Sequence, residues 1–437
     1  MRAALTIVVG AAAATAFVVP DVSQWQVPLA ASSPATSSLD AEDASWLSSL
    51  PSDLSSMLSS ASEDLLDAVD SGVGAVQGTY SKLSSELARA LSGDDDHPRG
   101  TIYQLIRACG HTSKFADAVD KYPHIVDILN ATDADRTLFV PTNEAFKHIH
   151  DLHHDGHEHE PSKDFIEAAL RYHIADGNFP AGRILHRSTL PTTLHEKWLG
   201  EEPQRLRTSI GLHGVEVNFY SKVVAANLKA TNGVIHAVSH ILVPPPTVGR
   251  VLTLFPQYFS TLLLAYEKTD FVNYIHHVQM TGSTVWAPSN YAWKRLGVRT
   301  NAFLFNTEKG RKYLRALLKY QISPNATFYS DAFYDKTGEE KKKGVERHHW
   351  DLPTLLGKAR VSVDSVEFAG FSAIRVNGFA HITVRDGISK NGVIQVLDSV
   401  LIPPCKKSHA AKGGEIEVDD LKARLEPYLE HEETSEL

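Results

Sequence analysis

Six imidazoles crowd one short stretch of this chain: His148, His150, His153, His154, His157 and His159, interleaved with Asp151, Asp155 and Glu158. His150 and His154 are four residues apart, as are His153 and His157. On a helix each pair would face one way and could hold Zn or Cu through ring nitrogens. Gly156 interrupts such a helix, and neither an H-E-x-x-H pattern nor a cysteine completes a catalytic zinc set. The run therefore reads as an exposed loop, with His150, His153, His154, His157 and His159 as candidate metal ligands and no cofactor expected.

Other catalytic chemistry finds less support. There is no G-x-S-x-G elbow for a serine nucleophile and no G-x-x-x-x-G-K-[ST] phosphate cradle. Cleavage of a polysaccharide would need two carboxylates facing one cleft, a geometry that no spacing here specifies. Lys341, Lys342 and Lys343, beside Glu339 and Glu340, read as a solvated insertion that could touch an anionic glycan together with Arg347, His348 and His349. The net charge is −9 with no basic cluster interleaved with aromatics, which argues against nucleic acid as a partner. The chain is expected not to be an enzyme.

The elements that would position any site are announced by a repeat. NGVIHAVSHILVPP, Asn232 to Pro245, returns as NGVIQVLDSVLIPP, Asn391 to Pro404, 159 residues later. TLFVPTNEAF, Thr137 to Phe146, returns as TVWAPSNYAW, Thr284 to Trp293, at an offset of 147. LPTTL from Leu190 returns as LPTLL from Leu352. A spacing of that size suits a whole duplicated domain rather than a solenoid unit. The growing offset puts the second copy's insertions mainly between Tyr320 and Leu352. In the closing motif Asn-Gly tolerates positive φ, the Val/Ile run suits a buried strand, and the prolines end it. In the opening motif Leu138 to Val140 reads as a short strand stopped by Pro141. Thr142 or Asn143 could then cap a helix that carries Ala145 and Phe146 inward.

Both motifs, in both copies, resemble the signatures of the fasciclin (FAS1) domain family, over roughly Thr101 to Cys405. The resemblance implies an α+β fold: two tandem FAS1-like domains, each a β-sandwich-like wedge flanked by short helices, after a low-complexity and partly helical N-terminal segment. It implies binding or adhesion toward cell-surface or matrix proteins or polysaccharides. It also carries a Tyr-His pair, here Tyr172 and His173, which with His236 forms the candidate binding set. The second copy has Tyr320-Gln321 and Gln395 instead, so an imidazole-dependent role would belong to the first domain alone. His173 lies on a mainly apolar stretch, Phe165 to Ile174, where a buried histidine bonded to a neighbouring element is the ordinary explanation.

With 437 residues and 43% hydrophobic content, the chain has room for two to three domains with real cores. Residues 1–16 read as a signal peptide: Arg2, an apolar stretch from Leu5 to Ala13, and Ala14-Thr-Ala16 as a cleavage site. Residues 17–99 form a Ser/Ala-rich stalk with two amphipathic helical patterns. Leader and stalk together resemble those of filamentous-fungal secreted proteins. The first domain is expected over 100–245 and the second over 247–404, joined by a short, stiff Pro-rich linker. A polar acidic tail, 405–437, follows; Val418 to Leu429 has a helical pattern, but the tail reads as solvated. No stretch is apolar and long enough to span a bilayer, and the charged C-terminus carries no GPI signal. Asn130 and Asn325 begin N-x-T acceptors for glycosylation. Cys109 and Cys405 are candidates for a disulfide in an oxidising compartment. The protein is expected to be soluble in the secretory pathway, either outside the cell or at its surface, or in a vacuolar lumen. The competing function is a lumenal metal-binding protein that uses the His148–His159 run.

Overall fold

The computed structural model describes residues 100–146, 162–184, 187–211, 214–334, 348–368, 371–404 and 416–433. The leader, the stalk and the His148–His159 run lie outside the described residues.

The first domain opens with three short helices, α1 (Ile102–Ala108), α2 (Ser113–Val119) and α3 (Pro123–Asn130). Thr101 caps α1 through a capping box with Gln104, and Pro123 starts α3 where no amide hydrogen is needed. Strand β1 (Arg136–Pro141) follows, then a 3-10 turn (Asn143–Phe146) and α4 (Lys163–Tyr172). The remaining elements are β2 (Ile174–Asp176), α5 (Ala181–Ile184), β3 (Thr189–Glu196), β4 (Glu202–Gly211), β5 (Gly214–Val217), β6 (Ser221–Ala230) and β7 (Gly233–Val238). Each strand pairs with its successor. β7 returns beside β1 in parallel and closes the ring, so the wedge foreseen as sandwich-like is a closed barrel here.

That parallel pair is buried on both faces, which is why both strands read as continuous apolar runs rather than alternating ones. Leu138, Val140, Ile235 and Ala237 pack on Ile106, Phe115, Ile125 and Leu129 of the helices. Phe139 and Val238 point the other way, into a barrel interior with Leu190, Leu206 and Val217.

The second domain repeats the plan with α6 (Val248–Leu254), α7 (Pro256–Lys268), α8 (Phe271–His277), β8 (Ser283–Pro288), α9 (Asn290–Arg295), α10 (Val298–Asn306) and α11 (Glu308–Tyr320). Its strands are β9 (Ile322–Pro324), β10 (Thr327–Phe328), β11 (Phe333–Tyr334), β12 (His348–Pro353), β13 (Arg360–Phe368), β14 (Phe371–Val376), β15 (Ala380–Ser389) and β16 (Gly392–Leu397). Seven of them run in the order β12-β13-β14-β15-β16-β8-β9, with β16 parallel to β8. The gap between β9 and β12 is bridged just past β12, where Leu355 N–H donates to Ile322 O at 3.0 Å. The helix cap belongs to the hydroxyl position of the opening motif: Ser289 Oγ accepts from Ala292 N–H. The asparagine next to it ties two elements instead. Asn290 accepts from Thr261 N–H, and Asn143 accepts from Lys114 N–H.

One element departs from the sequence reading. Within the tail taken as solvated, α12 (Val418–Glu433) docks on the second domain, with Leu421 and Leu425 fully buried in its core. Thr300 Oγ1 donates to Ile416 O and Tyr313 Oη to Glu426 Oε1 at 3.4 Å, fixing its near end and its middle. The acidic surface of the segment masks two leucines at i, i+4, enough to face one helix inward. Leu421→Ala should therefore cost about 2–5 kcal/mol in urea unfolding; a solvated tail would lose less than about 0.5 kcal/mol.

Candidate functional site

Tyr172 ends α4 and is fully buried. Its hydroxyl donates to Arg205 O at 3.0 Å and accepts from Asn218 Nδ2 at 2.9 Å. Asn218 in turn accepts Arg207 N–H through Oδ1 at 2.9 Å. Asn218 has φ 52°, a left-handed conformation that asparagine tolerates. The second domain repeats this unit: Tyr320 Oη donates to Arg360 O, Asn377 Nδ2 donates to Tyr320 Oη, and Ser362 N–H donates to Asn377 Oδ1, at φ 50°. Burial holds the Tyr172 phenol well above the ordinary tyrosine value, so it stays a donor.

His173 follows directly and is 1% exposed. Its Nε2 faces the backbone N–H of Leu242 at 2.9 Å, so that nitrogen accepts. The proton therefore sits on Nδ1, which donates to Ala169 O at 2.7 Å. The ring also packs against Phe115. Burial lowers its pKa to about 4, against the opposing pull of the Ala169 bond. In the second domain Gln321 Nε2 donates to Leu401 O at 2.9 Å, at the matching point of the repeat.

His236 stands on β7, buried and stacked on Phe139. Its Nε2 donates to Phe179 O at 2.9 Å and its Nδ1 accepts from Asn227 N–H at 3.4 Å. Asn227 sits at a bulge of β6 with φ 61°. Gln395 does the same work on β16. Its Nε2 donates to Phe328 O at 2.9 Å and its Oε1 accepts from Asp386 N–H at 3.1 Å. Asp386 occupies the equivalent bulge with φ 57°. Burial also lowers the pKa of His236.

The three residues proposed from sequence as a binding set are thus placed inward. β1 lies between the two histidines: Phe139 N–H donates to His173 O while its ring stacks on His236. Every polar side-chain atom of the three is engaged within the domain, leaving none to present to a partner in this conformation.

The other candidates lie apart from them. Asn130 accepts from Thr101 Oγ1 at 2.6 Å, and Asn325 from Thr281 N–H at 2.9 Å; in each case the amide oxygen is engaged. Cys109 is a free thiol buried in the helical core of the first domain, and Cys405 lies outside the described residues. Among the described residues no three His, Cys, Asp or Glu side chains converge as metal donors; His150, His153, His154, His157 and His159 lie outside them.

What sequence reasoning missed is the junction between the domains. The Asp331 carboxylate accepts from Ser188 N–H at 3.0 Å, Thr189 N–H at 2.8 Å and Thr189 Oγ1 at 2.5 Å. Thr189 Oγ1 accepts in turn from Arg205 Nε at 2.7 Å. Arg205 is fully buried, its guanidinium 5.4 Å from the centre of the Tyr329 ring. Arg207 Nε donates to Arg385 O at 3.0 Å and Gln204 Nε2 to Ser389 O at 3.0 Å. Gly282 N–H donates to Trp198 O at 2.7 Å. Burial lowers the Arg207 pKa to about 10, with Asp386 and Glu216 opposing, so it is still protonated at neutral pH. Arg205 and Arg207 flank the buried Leu206 on the opposite strand face, an alternation that reads as a solvated face from sequence alone.

The fasciclin domain family matches residues 110–244 and 257–403. "Aurofusarin biosynthesis cluster protein S" of Gibberella zeae is 27% identical over 76% of this chain and 86% of its own length. Fasciclin-1 of Schistocerca americana is 27% identical over 70% of this chain, and Stabilin-2 of Rattus norvegicus 26% over 51%. The chain spans 43% and 15% of those two proteins. A solved FAS1 domain pair from the insect cell adhesion molecule Fasciclin I is 20% identical, with 67% of this chain and 97% of that one covered and a TM-score of 0.31.

The buried histidines set a pH dependence. The unfolded chain binds a proton on His173 near pH 6.5, whereas the folded chain refuses it until about 4. Stability should therefore be complete above pH 6.5 and fall as pH drops toward 4, by about 3 kcal/mol from this group. His173→Gln, the residue used at Gln321, should flatten that slope in urea unfolding between pH 7 and 4. A slope unchanged by the substitution would contradict the assignment.

Proposed function

The chain belongs to the fasciclin-domain family, and from that premise we propose that it is a non-enzymatic binding and adhesion protein whose two domains work as one rigid unit. The observation that carries this is the polar junction. Asp331 receives three hydrogen bonds from the first domain, and Arg207 and Gln204 bond backbone carbonyls of the second. Bonds to specific atoms fix an angle between domains, whereas a flexible tether would let each engage a partner separately. The family's marker residues are spent on holding each domain together, so partners meet the outer surfaces.

Those partners are cell-surface or matrix proteins or polysaccharides. Entry to the secretory pathway through residues 1–16 delivers the protein to the cell surface or exterior, with a vacuolar lumen as the alternative destination. Glycosylation at Asn130 and Asn325 fits this route, since each amide oxygen is the atom tied into the fold. Among the described residues no helix is long and apolar enough to cross a membrane.

Beads coated with the full chain should bind cells or wall material of its source. Asp331→Ala orphans two backbone donors and should cost about 2 kcal/mol or more. It should widen the particle in small-angle scattering and weaken bead binding while both domains stay folded. Deleting residues 148–159 should leave bead binding intact. If beads bind nothing and the same deletion abolishes stoichiometric Zn or Cu binding in equilibrium dialysis, the metal-handling function replaces this one.

A further inference from the structure

The second domain contains a cavity of about 410 Å³ between α7, α9 and α10, within the size range of small-molecule sites. Trp293 and Phe305 supply its rings, packed edge to face at 5.6 Å. Gln257, Thr261 and Asn301 add polar groups, and Lys294 a cation; no carboxylate lines it. Two polar atoms of this lining are buried without a hydrogen-bond partner, Trp293 Nε1 and Asn301 Oδ1. The two residues are already linked, because Asn301 Nδ2 donates to Trp293 O at 2.6 Å.

An unsatisfied buried polar atom is destabilising, and two among the residues of one cavity call for an explanation. The first copy of the repeat has Phe146 where the second has Trp293, so filling this position does not require an indole N–H. Trp293 Nε1 can only donate and Asn301 Oδ1 can only accept. A hydroxyl does both, so one ligand chemistry supplies a partner to either atom. A ligand with several hydroxyls and apolar C–H faces would also use the two rings, while Lys294 donates to a further oxygen. Tyr291, 60% exposed, lies three residues before Lys294 on the same face of α9, outside the cavity lining.

We propose that this cavity is a saccharide-binding site that receives one end of a glycan. The inference rests on the binding function above and names the ligand class for one surface of it. The first copy has Phe146 in place of the indole, so the pair would engage a glycan through the second copy.

The test uses the full chain and soluble oligomers of glucose, mannose, N-acetylglucosamine and glucuronate, followed by saturation-transfer NMR and tryptophan fluorescence. At least one series should bind saturably. Trp293→Phe should weaken that binding about tenfold, the loss of one hydrogen bond, while the unfolding midpoint stays level or rises because an orphaned donor is gone. Lys294→Ala should weaken it as well, and Trp198→Phe, at the domain junction, should not. Failure of every oligomer to bind overturns the proposal, as does binding that Trp293→Phe and Lys294→Ala leave unchanged. If bead binding to cells persists in either case, the cavity assignment alone falls; if it too is absent, the adhesion function falls with it.

Discussion

Asn232 spends its whole side chain on backbone. Its Oδ1 accepts from Ile102 N–H at 2.8 Å, and its Nδ2 donates to Leu129 O at 2.9 Å and Ala131 O at 2.7 Å. One amide thereby joins the start of α1, the end of α3 and the entry to β7. The next residue must be glycine: at Gly233, φ is 147° and a Cβ would come within 1.8 Å of Arg136 O. That close approach sets β7 beside β1 in register from Arg136 opposite Gly233. Asn391 and Gly392 repeat the device, with Val248 N–H on the amide oxygen and Ser283 O against the glycine. The parallel pair at the centre of each domain, and the helices and remaining strands packed around it, depend on this joint.

This explains why so much of the fold was legible. The motifs that mark the repeat contain the residues with no substitutes: an amide with two donors and an acceptor, a glycine under a carbonyl, a threonine such as Thr137 that donates to Gly177 O and accepts from Phe179 N–H. Their types are dictated locally, so they are visible in a string of letters. Closure of the first sheet and docking of α12 depend on pairings between distant segments. Leu421 and Leu425 are two apolar positions in an acidic stretch, and nothing near them in sequence names the surface that receives them.

The candidate site was legible in position but not in role. From sequence, replacement of His236 by Gln395 looks like the loss of a functional group. In the structure the two side chains offer the same donor and the same acceptor to the same two places, a bulge amide and a carbonyl at the end of the loop beyond β2 or β9. Counting imidazoles suggested that the copies differ; the shared donor and acceptor show the same tie in both, with one further bond in the second copy, from Gln395 Nε2 to Asp386 Oδ1 at 2.9 Å. The other pair is less exact. His173 accepts from Leu242 N–H, whereas Gln321 donates to Leu401 O and leaves its own Oε1 buried without a partner. The same tie is made with reversed polarity, and the second domain carries the unsatisfied atom.

The divergence that matters between the copies lies at their junction. Burying a guanidinium such as Arg205 is costly unless its neighbours compensate, and an apolar contact would hold two domains together without that cost. Apolar contacts, however, permit sliding, because one methyl group serves as well as the next. The relay from Arg205 through Thr189 to Asp331 has no such freedom: Thr189 Oγ1 accepts from Arg205 Nε and donates to Asp331 Oδ1, each bond between specific atoms. Asp331 lies in the Tyr329–Ala332 stretch of the second domain, whose tyrosine also covers Arg205. This hydrogen-bonded relay across the junction therefore favours one relative orientation, and it does so with residues that the opening and closing motifs do not contain. Duplication supplied two domains of one plan; unequal residues outside the motifs tie them together through hydrogen bonds that neither copy makes within itself.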